Sequence, residues 1–175
     1  MKRKSEAGMT LLEVMVVVGI VAILAKLVLP AFATQARKSE GDTEVAQYFA
    51  ELSMKEEQYK IDHGVYFSTG AGETATWPTT PTASEQTVMP LPATWTTLRV
   101  VTPTSTARCG YVTIAGTATT GTVGSIASTS FAFTAPAMSW YYVLAHCNLD
   151  NDSTKDSYYF ASSKDAKILK LNYGN

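Results

Sequence analysis

The side chains in this sequence that could do chemistry fall into a few small groups. Glu13 lies four residues into a run, Met9 to Ala33, whose only other charge is Lys26. A carboxylate in apolar surroundings is costly unless it is paired, so Glu13 is a functional candidate. A glutamate resting at a membrane headgroup level is the plainer alternative. Cys109 and Cys147 are the chain's two cysteines, too few for a disulfide-dense scaffold or a four-cysteine zinc site. His63 and His146 stand apart from one another. Asp150, Asp152, Thr154 and Asp156 place oxygen side chains at alternate positions, like the first half of a calcium loop. That loop expects glycine at its sixth position and glutamate at its twelfth, where this chain has Lys155 and Ala161. A solvated turn is the preferred reading, with Ca2+ as the alternative and no other cofactor expected. A triad built on His146 would need Asp150 or Asp152 and a serine, which local spacing cannot show. No phosphate-binding glycine loop, zinc signature or nucleophile elbow is present. The chain reads as a non-enzyme.

The elements that must position these groups follow from composition and pattern. A length of 175 residues suits one domain. Fourteen Lys and Arg against fifteen Asp and Glu leave a net charge of -1, which argues against a nucleic-acid binder. Residues 9–33 would make about 37 Å of helix, more than the ~30 Å hydrocarbon core of a bilayer. Lys2, Arg3 and Lys4 before it predict a cytoplasmic start with the remainder outside. A cleavable secretory signal is the competitor, with Ala31-Phe32-Ala33 as its cleavage site, but Glu13 suits it poorly. Lys26 lies roughly 20 Å along the helix from Glu13, too far to pair with it, and could snorkel to the outer interface.

Gly8-Met9-Thr10-Leu11-Leu12-Glu13-Val14, followed by the apolar run and Pro30, resembles the class III signal of type IV pilins and pseudopilins. The resemblance is close from Gly8 to about Phe67 and faint beyond. It implies a leader, residues 1–8, cut after Gly8 by a prepilin peptidase that then methylates Met9. It implies that Glu13 of one subunit meets the N-terminal amine of a neighbour, and that the helix bends or melts near Pro30. Met9 replaces the usual phenylalanine, and Lys26 is a charge where the family normally has none. The implied partners are other pilin subunits, the peptidase, an inner-membrane assembly platform and the membrane itself. The implied location is the bacterial inner membrane, single-pass with a periplasmic C-terminal domain, and then an extracellular pilus. The expected function is a structural pilin or minor pilin, with a type II secretion pseudopilin or an adhesive tip module as alternatives. An extracytoplasmic location makes a Cys109–Cys147 disulfide expected, and the resemblance supports it. Free buried thiols are the alternative.

The expected fold is α+β and type IV pilin-like: a long N-terminal helix packed against a small antiparallel sheet. Residues 9–33 form its transmembrane or filament-core part, 34–63 its amphipathic continuation, and 64–175 a β-rich body. Val45, Phe49, Leu52, Glu56 and Tyr59 recur at steps of four and three, a helical stripe. The charged residues from Arg37 to Lys60 take mostly other faces. Gly64 is an expected helix cap, and Gly41 a weak point inside the helix. The threonine-rich, proline-punctuated stretch after Thr74 predicts loops and strands. Strands are expected at Thr97-Val101, Tyr111-Ala115, Phe131-Thr134, Trp140-Cys147 and Tyr158-Ser162.

Overall fold

A computed structural model describes residues 9–79, 82, 84–149 and 156–172, less the side chains of Leu27, Pro30 and Ala31. Helix α1 runs Leu11–His63. It is followed by β1 (Gln86–Thr87), α2 (Ala93–Thr97), β2 (Thr106–Ala107), β3 (Cys109–Gly116), a π-helical turn (Ile126–Ser130), β4 (Trp140–Cys147), β5 (Ser157–Ser162) and β6 (Asp165–Leu171). The chain divides into two compact units between Ala36 and Arg37. The α+β arrangement is the expected one.

In the unit Arg37–Asn175, β3, β4, β5 and β6 form an antiparallel meander in that order. Hairpin neighbours pair in sequence, so the sheet forms from local contacts. Alternate residues point to opposite faces. Tyr111, Tyr141, Val143, Ala145, Tyr159 and Ala161 pack with Val45, Tyr48, Phe49 and Leu52 of α1. The other face presents Val112, Ile114, Tyr142, Leu144 and Phe160, under Ala127 and Phe133 of the long β3–β4 connection. With both faces covered, β4 has no polar alternation to show, and it reads as a near-continuous apolar run.

The expected stripe on α1 is buried at Val45, Phe49, Leu52 and Glu56. Tyr48 joins it, fully buried and stacked on Tyr111 with ring centroids 4.3 Å apart. Gly64 adopts φ 78° at the helix end, and its N–H donates to Lys60 O at 2.7 Å. Gly41 is more than a weak point: a Cβ there would lie 2.8 Å from the Leu149 side chain packed against it.

Cys109 and Cys147 are register partners at the same end of β3 and β4, and they are joined by a disulfide. It closes a separation of 38 residues, which stabilises by roughly 3–4 kcal/mol in the chain-entropy model.

The expectations for Tyr111-Ala115, Trp140-Cys147 and Tyr158-Ser162 match β3, β4 and β5. Two others do not hold. Thr97-Val101 is no strand; Thr97 ends the short helix α2, and Leu98 and Arg99 form the turn after it. The threonines of α2 are reconciled to helix because Thr96 Oγ1 and Thr97 Oγ1 donate to the carbonyls of Pro92 and Ala93, at 2.8 and 2.9 Å. Phe131-Thr134 is not a strand either. Ala132 takes φ 51°, while Phe131 stacks on Phe160 and Phe133 meets Trp140 and Tyr142 edge-on. Packing of these rings on the second sheet face overrides their strand propensity. Strand β6 was not expected; its exposed Lys167 and Lys170 disguise it, and such charges are what an edge strand carries.

Glu73 holds the β3–β4 connection in place. Its carboxylate is buried and accepts hydrogen bonds from Ile126 N and Ala127 N, both at 2.8 Å, and from Tyr142 Oη at 3.2 Å. A Cβ on Gly124 would collide with the Glu73 carboxyl group. Gly124→Ala is therefore expected to displace Glu73 and lower stability by about 2 kcal/mol, read as the shift in urea midpoint of the full-length protein. An unchanged midpoint would show that the carboxylate is not pinned.

Candidate functional site

Within the unit Met1–Ala36 the chemistry begins at Thr10. Its Oγ1 accepts from Glu13 N at 3.3 Å, and Val14 N donates to Thr10 O at 3.2 Å. Thr10 is thus the N-cap of α1 and Glu13 its third residue, the spacing of a capping box. The sequence reading missed Thr10, although threonine three residues before glutamate was a visible signal. A carboxylate in the first turn also faces the positive end of the helix dipole.

From that turn onward the helix carries apolar residues around its circumference, with Lys26 the one charge between Glu13 and Ala33. Leu11, Leu12, Val14, Met15, Val16, Val17, Val18, Ile20, Val21, Ile23, Leu24, Val28, Leu29 and Phe32 are all exposed. Leu11 is 78% exposed and Phe32 68%. A helix with apolar residues on every face calls for a surrounding that water does not provide. Among the described residues, however, no helix is long and apolar enough to cross a membrane. The span expected over residues 9–33 contains Glu13 and Lys26, and the side chains of Leu27, Pro30 and Ala31 lie outside the described set. Pro30 falls within α1.

Met9 and Glu13 are both exposed. Gly8 lies outside the described residues, as do Asp150, Asp152 and Thr154 of the acidic turn. Asp156 is described: its carboxylate lies 2.6 Å from His146 Nε2, and His146 stacks on Tyr158. Among the described residues no cluster of three His, Cys, Asp or Glu side chains is arranged to hold a metal.

These positions coincide with a recognised motif. Residues 3–25 match the family model of the prokaryotic N-terminal methylation motif. Curated relatives extend the likeness. The chain is 37% identical over 68 residues to the type IV wide pilus major component of Thermus thermophilus, covering 39% of this chain and 51% of that one. It is 39% identical over 72 residues to the type II secretion system core protein G of Klebsiella michiganensis, covering 41% and 50%. The corresponding protein of Vibrio cholerae is 40% identical over 82 residues, covering 46% and 56%. The chain thus spans about half the length of the curated relatives it matches. No solved structure matches it significantly. The methylation motif encloses Gly8, Met9 and Glu13 on one segment, and the resemblance to pilin-type subunits stands on that motif and on these matched stretches.

In the body, three carboxylates of α1 meet backbone donors of the chain beyond it. Glu44 accepts from Arg108 N, Cys109 N and Tyr111 Oη at 3.0, 3.1 and 2.7 Å. Glu51 Oε1 accepts from Val101 N at 2.8 Å, and Glu56 Oε2 from Phe67 N at 2.9 Å. Glu44 and Glu51 flank the buried stripe, half-buried, and face the loops rather than the sheet. Tyr111 is pushed well above its ordinary pKa, first by burial and then by the adjacent Glu44 charge.

Glu56 is fully buried, and its Oε1 has no hydrogen-bond partner. Burial raises its pKa to about 7, against the opposing hydrogen bond from Phe67 N. The neutral form is thus favoured in the folded state. Its contribution is fully present below the ordinary carboxylate pKa and is lost as pH rises from about 4.5 through about 7. Glu56→Gln keeps an acceptor for Phe67 N and removes the titration. Relative to the native protein, the variant should gain on the order of 2–3 kcal/mol between pH 4.5 and pH 8. Parallel denaturant melts at the two pH values measure this, and a pH-independent difference would refute the assignment.

Proposed function

We propose that this chain is a structural subunit of a type IV pilus-type filament. In this reading the exposed apolar half of α1 is first held in the inner membrane and later packed among the same helices of neighbouring subunits. The supporting observation is that this half is apolar on all faces and begins at a methylation motif, with Thr10 capping the helix and a glutamate in its first turn. The partners are further copies or related subunits, a prepilin peptidase that cuts after Gly8 and methylates Met9, and an inner-membrane assembly platform. The C-terminal body is periplasmic before assembly and extracellular in the pilus. The chain does no catalysis in this role.

Glu13 carries the specificity of the assembly step. Inside a packed bundle of apolar helices its charge is tolerable only with a cationic partner, and the amine freed at Met9 of an adjacent subunit supplies one. A second reading, a pseudopilus subunit of a type II secretion system, draws on the two core protein G relatives. It uses the same N-terminal chemistry and differs in the machine that the subunit joins.

Glu13→Ala should be made and cleaved normally, as intact-mass measurement of membrane-extracted protein would record. It should enter sheared filaments at least 10-fold less than the native chain by quantitative immunoblot. Gly8→Val should block cleavage itself. Normal incorporation of the Glu13 variant would defeat the charge-pair role, and a mature N-terminus near Thr34 would defeat the pilin reading altogether.

A further inference from the structure

Helix α2 ends in a way that costs stability. Leu98 is its C-cap, Arg99 N donates to Thr96 O at 3.1 Å, and Val100 N donates to Trp95 O at 3.0 Å. This pair of bonds is the Schellman motif, whose residue after the cap is usually glycine because it must be left-handed. Here it is Arg99, at φ 57°. A side chain with a Cβ is disfavoured in that conformation, and such an outlier is a pointer to a role for the side chain. Strain alone does not suffice, since Ala132 takes φ 51° and brings no polar group.

Arg99 differs through its surroundings. It is exposed, has no ion-pair partner among the described residues, and lines a groove of about 180 Å³ with Lys55, Tyr59, Asp62 and His63. Asp62 lines the same groove and is likewise without an ion pair among the described residues. Tyr59 and His63 stack with centroids 3.9 Å apart. His63 Nδ1 lies 3.0 Å from Tyr59 O; a carbonyl can only accept, so Nδ1 carries the hydrogen and Nε2 is left for a ligand. Lys55 is held by Glu51 at 3.8 Å.

The groove therefore offers a guanidinium fork, a carboxylate, an imidazole nitrogen and stacked ring surface. A guanidinium suits a carboxylate group. Asp62 and His63 Nε2 suit hydroxyl groups, and amphipathic rings suit the apolar face of a sugar. The volume is below the ~300 Å³ of pockets for larger ligands, enough for one ring. We propose that this groove binds an acidic saccharide, one sugar ring bearing a carboxylate, with Arg99 on the carboxylate and Asp62 on the hydroxyls. This is a property of the body and does not depend on the filament reading.

The test is calorimetric titration of the full-length protein in detergent with trigalacturonate, with glucose and acetate as comparators. Trigalacturonate should bind saturably in the micromolar to low millimolar range, at least 10-fold more tightly than either comparator. Arg99→Gly should weaken binding at least 10-fold while raising the melting temperature by about 2–4 °C, because glycine relieves the left-handed residue. Asp62→Asn should weaken binding without that thermal gain. No saturable binding by 10 mM, equal binding of acetate, or unaltered binding by a folded Arg99→Gly variant would each overturn the proposal.

Discussion

The body depends on how its irregular segments satisfy their backbone donors. A buried N–H without an acceptor costs about as much as a lost hydrogen bond, and much of residues 64–108 is neither helix nor sheet ladder. Helix α1 supplies acceptors from the side. Glu44 takes the amides of Arg108 and Cys109 where β3 begins, Glu51 the amide of Val101, and Glu56 that of Phe67. These carboxylates are seven and then five residues apart on a helix whose apolar stripe is already committed to the sheet. The helix thus fixes loop positions as well as covering the core. The segment anchored by Glu56 then lies along the outer side of β3, where Thr69 N donates to Thr113 O and Trp77 exchanges two backbone bonds with Tyr111.

The two units treat apolar surface in opposite ways. In Arg37–Asn175 the stripe of Val45, Tyr48, Phe49 and Leu52 is covered by sheet residues, each at most 3% exposed. In Met1–Ala36 valines, leucines and isoleucines of the same helix stay about half exposed or more. Burying one such side chain is worth about 1.5–3 kcal/mol. A row of twelve left uncovered among the described residues is a large driving force toward any medium or partner that covers them. In the proposed function, membrane insertion and helix packing between subunits would draw on the same source, so one segment would serve both in turn.

Much of this was legible in the sequence where a single period or a single spacing decides the outcome. The stripe from Val45 to Tyr59, the cap at Gly64 and strands β3 to β5 follow from local pattern, while the Cys109–Cys147 bridge was expected from an extracytoplasmic location and the pilin resemblance. What escaped depends on partners far along the chain. Threonine favours strands in general, yet Thr96 and Thr97 satisfy a helical turn by bonding back four residues. Nothing near Glu73 signals that it will hold Ile126 and Ala127, more than fifty residues on. Arg99 fell within the expected strand Thr97-Val101, whereas the hydrogen bonds of α2 put it where a glycine normally sits. Thr10 is the exception, since its spacing from Glu13 was a local signal passed over beside the stronger motif around it.

Glu13 and Glu56 show why a carboxylate in an apolar stripe has no fixed meaning. Each interrupts a hydrophobic pattern on the same helix, and the pattern alone treats them alike. Their fates differ because of what the chain delivers to them. Glu56 is met by an amide eleven residues away and sealed beneath it, half satisfied, so burial makes the proton its cheapest companion near neutral pH. Glu13 receives from its own chain a helix N-terminus and a threonine cap through its backbone N–H, and its carboxylate stays exposed. Once the apolar residues around Glu13 are covered, the same desolvation that acts on Glu56 must act on it. In the proposed filament its charge then needs a positive partner. There the side that brings the cation would discriminate against subunits that cannot, which would turn a desolvation penalty into a rule for which helices pack together.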